Sequence, residues 1–168
     1  MITQKAFILR VVKFSEADLI VHALSQNGEK LKLFARAALK SRKRFGGGVL
    51  QPTHFVSISH KEIKEDGGLA TLFEASLLEG FDALRKDYDR LQLALHFVSV
   101  IDRLSLEGSV DAVSLYDLLG NGLQALQIAK NLDLLKAQFE LKLLYYQGVL
   151  PHLENSEELL ERSIRENN

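Results

Sequence analysis

The sequence predicts an α+β protein in which a five-stranded OB-fold β-barrel is followed by an all-helical C-terminal domain. The N-terminal half contains five short segments in which apolar and polar residues alternate, and one long basic connection separates the third from the fourth. Beyond residue 80 the apolar residues recur at three- and four-residue spacing, which is typical of amphipathic helices. We therefore expect a barrel domain over residues 1–80 and a helical bundle over residues 81–168. The number of strands alone leaves an SH3-like barrel or a small sandwich as alternatives.

Composition indicates an ordinary globular protein with enough apolar residues to bury a core. The chain has 168 residues, of which 46% are apolar and 26% charged. It contains no cysteine, which excludes a disulfide framework and a thiolate metal site and fits a reducing compartment. The N-terminus has no signal-peptide pattern, and no stretch of about 18 apolar residues occurs. These features predict a cytoplasmic protein that does not enter a membrane.

Charge is distributed unevenly between the two predicted domains. Residues 1–80 carry 12 Lys and Arg against 8 Asp and Glu, a net of +4, whereas residues 81–168 carry 9 against 14, a net of −5. Opposite charges on two halves are consistent with two functional surfaces, a basic one for phosphate and an acidic one for another partner. The alternative is that the two halves simply attract each other within the fold.

Strands are predicted where alternation is clearest: residues 5–14, 19–24, 30–35, 53–63 and 69–77. Asn27–Gly28 and the run from Glu65 to Gly68 are typical of tight turns between them. The third strand should have one solvated face, which carries Lys30 and Lys32.

Helices are predicted over residues 84–104, 113–128 and 132–148. Asp87 or Asp89 should lie in the first turn of the first helix, where the helix dipole favours a carboxylate. Gly148 is a suitable end for the third helix, and Pro151 would prevent its continuation. We expect residues 151–168 to form a short acidic helix with a frayed end.

The basic loop between the third and fourth strands, residues 36–52, is the strongest functional signal. It contains five cations followed by three consecutive glycines: Arg36, Lys40, Arg42, Lys43, Arg44 and Gly46–Gly48. Such a loop suits a polyanion, most plausibly nucleic acid, because cations neutralise phosphates and glycines adapt the backbone to an irregular polymer. The alternative is a solvated loop whose charges only aid solubility.

Three further residues are candidates for the same DNA surface. Phe45 lies among the loop cations and is suited to stacking on a base, or else it closes the barrel mouth as part of the core. Lys30 and Lys32 would extend the cationic surface onto the barrel, unless they only solvate a strand face.

Catalytic and metal-binding patterns are not found. The glycines do not form a phosphate-binding G-x-x-x-x-G-K-[ST] motif, no G-x-S-x-G occurs, and the five histidines include no H-x-x-x-H pair. Asp87 and Asp89, two residues apart on a helix, would face different directions and do not suit a shared metal. We therefore expect a binding protein without a cofactor or metal, and not an enzyme.

Four stretches, in this order and spacing, resemble the RecO family of bacterial recombination mediators. They are KAFILRVVKFSEADLIVHALSQNGEK, KSRKRFGGGVLQP, LATLFEASLLEGFDALRKDYDRL and FELKLLYYQGVLPHL, which together span about residues 5–153. Two departures stand out. A Gly-Ala-Arg step usual in the family is replaced by Ala37, Ala38 and Leu39, which removes one cation. The four-cysteine zinc module of many members is absent after Pro151, so the chain resembles a zinc-free, C-terminally short form or a fragment.

The resemblance implies a mediator of recombinational DNA repair. Such a protein would bind single- and double-stranded DNA, anneal complementary strands and assist recombinase loading near the nucleoid. Implied partners are the acidic tail of single-stranded DNA-binding protein, RecR and, indirectly, the RecA filament. In the family the tail binds the helical part. Lys130, Lys136 and Lys142, the only lysines after residue 86, are therefore candidates for it, with plain solvated helix faces as the alternative. A second possibility is an adaptor that keeps the fold and its protein partners but has lost DNA binding.

Overall fold

A computed structural model describes residues 1–62, 68–106 and 113–149. Five strands come first, followed by three helices. The strands are β1 (Ile2–Lys13), β2 (Leu19–Ser25), β3 (Lys30–Ala35), β4 (Phe55–His60) and β5 (Ala70–Glu79). The helices are α1 (Tyr88–Leu104), α2 (Val113–Ile128) and α3 (Leu132–Tyr146).

The strands form a closed barrel in the order β1-β2-β3-β5-β4, with β4 returning to pair with β1. All pairings are antiparallel except that between β3 and β5, which is parallel and brief: Leu33 pairs with Ala70 and Phe34 with Thr71. This barrel followed by helices confirms the predicted OB-fold with a C-terminal helical domain.

The five predicted strands and the first three predicted helices are present, and their ends shift by a few residues. The first helix begins at Tyr88 and not near Leu84, because Leu84–Lys86 form a separate 3₁₀ turn. Asp87 is its N-cap: the carboxylate accepts a hydrogen bond from the Arg90 backbone N–H, as Asp residues at this position commonly do. The predicted turn at residues 65–67 and the predicted helix in residues 151–168 lie outside the described residues.

The third helix ends at Tyr146, and Gly148 terminates it as predicted. This residue has a φ of +71° and its N–H donates to the carbonyl of Tyr145, while the N–H of Val149 donates to that of Leu144. These two bonds form a Schellman motif, which requires a left-handed residue and so favours glycine. Pro151, expected to block further helix, lies outside the described residues.

Two hydrophobic cores are stacked on each other. One fills the barrel, and the other lies between the barrel and the helices. The second core includes Phe7, Leu9 and Leu24, which are strand residues that point away from the barrel interior. A register shift in β1 between Ile8 and Arg10 accommodates an extra residue, Leu9, as β-bulges do. The helices are thus built on the outer surface of the barrel.

Aromatic packing unites the three helices. The rings of Phe97 and Phe139 stack 3.8 Å apart at 5°, and a Cβ placed on Gly122 would lie 3.0 Å from the Phe139 ring. A residue larger than glycine would therefore push this stack apart.

Among the described residues, no helix is long and apolar enough to cross a membrane.

Candidate nucleic-acid interface

The basic loop between β3 and β4 is anchored to the barrel by its apolar residues. Ala38, Phe45, Val49 and Leu50 are all buried, and all belong to the barrel core. Because these side chains point inward, the polar residues between them are directed to solvent. The loop is therefore a fixed part of the barrel wall and not a loose connection.

Hydrogen bonds attach the beginning of the loop to the turn between β1 and β2. The backbone N–H of Ala37 donates to the Asp18 carboxylate at 2.7 Å, and the N–H of Leu39 donates to the carbonyl of Ala17 at 3.0 Å. The Ala37 bond is the main cause of a lowered pKa at Asp18, with smaller contributions from the Ser15 hydroxyl and the charge of Arg36.

Hydrogen bonds also hold the end of the loop. The N–H of Ala75 in β5 donates to the carbonyl of Arg44 at 3.0 Å. This bond places the loop against β5, whose pairing with β3 is short. Beyond the glycines, Nδ1 of His54 lies 2.9 Å from the carbonyl of Val49, to which a protonated Nδ1 donates. Burial lowers the pKa of His54, so the neutral imidazole is favoured there.

All five loop cations are exposed, as the sequence pattern predicts. Among the described residues, none of the five forms an ion pair with a carboxylate. Arg44 differs from the other four because its guanidinium donates to the carbonyl of Arg36 at 2.8 Å and lies 5.1 Å from the centre of the Phe45 ring. Arg44 therefore supports the loop, whereas Arg36, Lys40, Arg42 and Lys43 are available to phosphates.

Lys30 does not belong to this surface, contrary to the expectation from strand alternation. Its side chain is 9% exposed, and Nζ lies 2.9 Å from the carboxylate of Asp102 near the end of α1. The ammonium also donates to the backbone carbonyls of Asp102 and Ser105. Lys30 thus neutralises a helix C-terminus and joins the helical domain to the barrel.

Phe45 is also unsuited to the role of base stacking. The residue is 5% exposed and packs within the barrel core, which is the alternative that the sequence left open. A base would reach this ring only if the loop left the barrel. Its contribution is to anchor the loop on which the cations stand.

Lys32 remains a candidate, and two aromatic residues that the sequence pattern did not single out lie on its face of the sheet. Lys32 and Phe34 alternate with buried Leu31 and Leu33 on β3, so both point outward. Phe34 packs edge-on against Phe14, with ring centres 5.7 Å apart at 88°. Phe14 directly follows β1, and nothing in its local pattern distinguishes it from a core residue at a strand end.

The three lysines proposed for an acidic partner are exposed but do not form one patch. Lys130 precedes α3, while Lys136 and Lys142 are six residues apart on it and so face different directions. Lys136 lines a groove of about 470 Å³ between α1 and α3, together with the carboxylates of Asp89 and Asp133. Lys136 also lies 4.0 Å from Glu140. The groove therefore has mixed charge.

The described residues contain no group of three or more His, Cys, Asp or Glu side chains placed to hold a metal ion.

Fold and site together define an OB-barrel protein that displays a cationic loop and carries a helical domain on its outer wall. Two family models match the chain: "Recombination protein O N terminal" over residues 1–81 and "Recombination protein O C terminal" over residues 85–166. The chain belongs to the RecO family.

Similar proteins include several bacterial proteins named DNA repair protein RecO. That of Syntrophus aciditrophicus is 32% identical over 150 residues, covering 89% of this chain and 57% of the relative. The Exiguobacterium sibiricum protein is 30% identical, covering 89% and 58%, and the Anaeromyxobacter dehalogenans protein is 34% identical, covering 88% and 57%. The chain thus spans less than two thirds of the length of these relatives.

Proposed function

We propose that this chain acts in recombinational DNA repair as a DNA-binding mediator rather than an enzyme. In this proposal the cationic loop binds the phosphate backbone of single- and double-stranded DNA. The protein would thereby bring complementary strands together for annealing and assist recombinase loading. The observation that carries the proposal is the set of four exposed cations on an anchored loop, Arg36, Lys40, Arg42 and Lys43.

Anchoring matters because binding a flexible polymer is opposed by the entropy of ordering both partners. Ala38 and Phe45 hold the loop on the barrel, so its backbone is already ordered before DNA arrives. No carboxylate of the described residues pairs with these cations, so binding phosphate breaks no ion pair within that part of the chain. Phosphate binding carries no base information, which suits a protein that must act on any sequence.

The proposed protein partners come from family membership and not from the geometry. They are RecR, the RecA filament through its loading, and the acidic tail of single-stranded DNA-binding protein. For the tail we retain Lys130, Lys136 and Lys142 as candidates because they are exposed cations on an otherwise acidic half.

The test compares two triple variants that each remove three positive charges. The loop variant is Lys40→Ala, Arg42→Ala and Lys43→Ala, which leaves Arg44 to support the loop. The helical variant is Lys130→Ala, Lys136→Ala and Lys142→Ala, which controls for net charge. Fluorescence anisotropy would measure binding to a labelled single-stranded oligonucleotide across a range of salt concentrations.

We expect the loop variant to bind more weakly and to reduce the slope of log K against log salt by about 2, since each phosphate contact contributes about 0.7. The helical variant should keep the slope of the unmodified chain, and should lose affinity only for an acidic peptide. Equal losses of DNA affinity in both variants would show that net charge, and not the loop, determines binding. Measurable acidic-peptide binding without DNA binding would instead favour the adaptor function.

A further inference from the structure

An exposed aromatic pair lies next to the cationic loop. Phe14 is 63% exposed, a large fraction for a phenylalanine in contact with another ring. Its partner Phe34 is half-buried and stands two residues before Arg36, the first loop cation. The turn that follows Phe14 is itself bonded to the loop through Asp18 and Ala17. Rings and cations therefore lie on one continuous surface.

Strand pairing places more apolar surface around these rings. Val12 pairs with Ile20, and Ile20 with Phe34, so their side chains form a row across the outer face of β1, β2 and β3. Val12 is exposed, and Ile20 is half-buried. Lys32 borders the row on β3, one pleat away from Phe34. We call Val12, Phe14, Ile20 and Phe34 the aromatic platform.

The helical domain covers the neighbouring part of this face but leaves the platform open. Arg10 pairs with His22, and Leu24 with Lys30, in the adjoining rows. Asp102, near the C-terminal end of α1, binds both Arg10 and Lys30, at 3.0 and 2.9 Å. The ion pairs thus fix the end of α1 over these rows, while Phe14 stays exposed beyond them.

We propose that the aromatic platform stacks the bases of single-stranded DNA whose phosphates are held by the cationic loop. Unpaired bases offer a π-face that stacks on aromatic rings whatever their sequence, and the same face is hidden inside a duplex. The strand 2–3 face and the loop between the first two strands are where OB barrels bind oligonucleotides, and Ile20, Phe34 and Phe14 lie on these elements. Loop cations border the platform, which argues for a polyanion and against an apolar protein partner.

This inference rests on the proposed DNA-binding function and adds a strand preference to it. Phosphate contacts alone serve single and double strands alike, whereas stacking rewards only unpaired bases. The platform should therefore raise affinity for single strands without changing affinity for a duplex. Its effect should be insensitive to salt, because stacking releases no counterions.

The experiment uses the full chain with Phe14→Leu, Phe34→Leu and the double variant. Leucine keeps apolar volume but removes the ring. The matched control is Tyr88→Leu, which removes a ring that is 78% exposed at the start of α1 in the helical domain. Anisotropy would measure three probes of about 16 nucleotides: a single strand, the same strand without bases, and a duplex. Circular dichroism would verify folding, and the mostly exposed Phe14 keeps the test valid if a Phe34 variant fails to fold.

We expect the double variant to lose about tenfold in affinity for the normal single strand. Its salt slope, and its affinity for the abasic strand and the duplex, should equal those of the unmodified chain and of Tyr88→Leu. An unchanged affinity for the normal strand, or an equal loss on the abasic strand, would overturn this inference alone. Absence of salt-dependent binding by the unmodified chain would overturn the proposed function as well.

Discussion

At the scale of single residues, the strand pattern predicts which side of a sheet a residue faces but not what covers that side. Lys30 and Lys32 follow the same alternation, and both point outward as predicted. They differ because α1, some 70 positions later in the chain, ends over Lys30 and supplies the Asp102 carboxylate. The residues around Lys30 carry no pattern that would predict a partner so distant in sequence. The exposure of Phe14 could not be predicted either, because it depends on which other elements pack against the end of β1.

The two lysines provide a residue-scale prediction. Lys30→Met should lower the free energy of unfolding by about 2 kcal/mol, because it leaves the Asp102 carboxylate and two helix-end carbonyls without their charged donor. It should leave the salt slope of DNA binding unchanged. Lys32→Met should do the reverse, keeping stability within about 0.5 kcal/mol and reducing the slope by about 0.7.

Urea unfolding and anisotropy would measure the two quantities on the same preparations. A reduced slope in Lys30→Met, with normal stability, would show that this ammonium contacts DNA and not Asp102.

At the scale of elements, the composition of the basic loop predicts the exposure of its cations but not the burial of most of its apolar residues. The run of cations predicted an exposed surface, and all five are exposed. The composition left the burial of Phe45 open and did not reveal that Ala38, Val49 and Leu50 also anchor the loop in the barrel core. Apolar residues within a basic run have no helical or strand period, so their burial cannot be inferred from spacing.

The entry to the loop contains a substitution with an energetic consequence. Ala37 has a φ of +52°, in the left-handed region that favours glycine, and this is the position where the family resemblance expects glycine. Ala37→Gly should therefore raise the free energy of unfolding by about 1 kcal/mol. The converse control, Gly47→Ala at a φ of +71°, should lower it by a similar amount.

Gly46→Ala is a neutral reference for these two substitutions, because a Cβ at Gly46 meets no atom within 4 Å and its φ is not left-handed. Thermal unfolding of the three variants would measure the differences. If Ala37→Gly were destabilising, Ala37 would not adopt the left-handed conformation at the loop entry.

At the scale of the whole molecule, the architecture was predictable because its signals repeat along each element. Alternation of apolar and polar residues predicted the five strands, and apolar residues at three- and four-residue spacing predicted the three helices. Each pattern extends over a whole element, so an error of a few residues at an end does not change the predicted type of element. The packing of the helical domain on the barrel was not predictable. Phe7, Leu9 and Leu24 have the pattern of ordinary strand residues, although they pack against the helices. The family resemblance in residues 5–153 agrees with models that match residues 1–81 and 85–166.

This architecture divides the outer surface into a covered and an open part. The helices occupy the face with Phe7 and Leu9, and the Arg10–Asp102–Lys30 cluster marks their edge. Beyond that edge lie the aromatic platform and the cationic loop. We infer that the helical domain leaves open the part of the barrel where a DNA strand would bind.

The salt dependence of single-stranded DNA binding by the unmodified chain tests the central claim most directly. With four exposed loop cations and Lys32 neutralising phosphates, the slope of log K against log salt should be about −3.5. A slope near zero, or no binding at low salt, would contradict the proposal that this loop binds DNA.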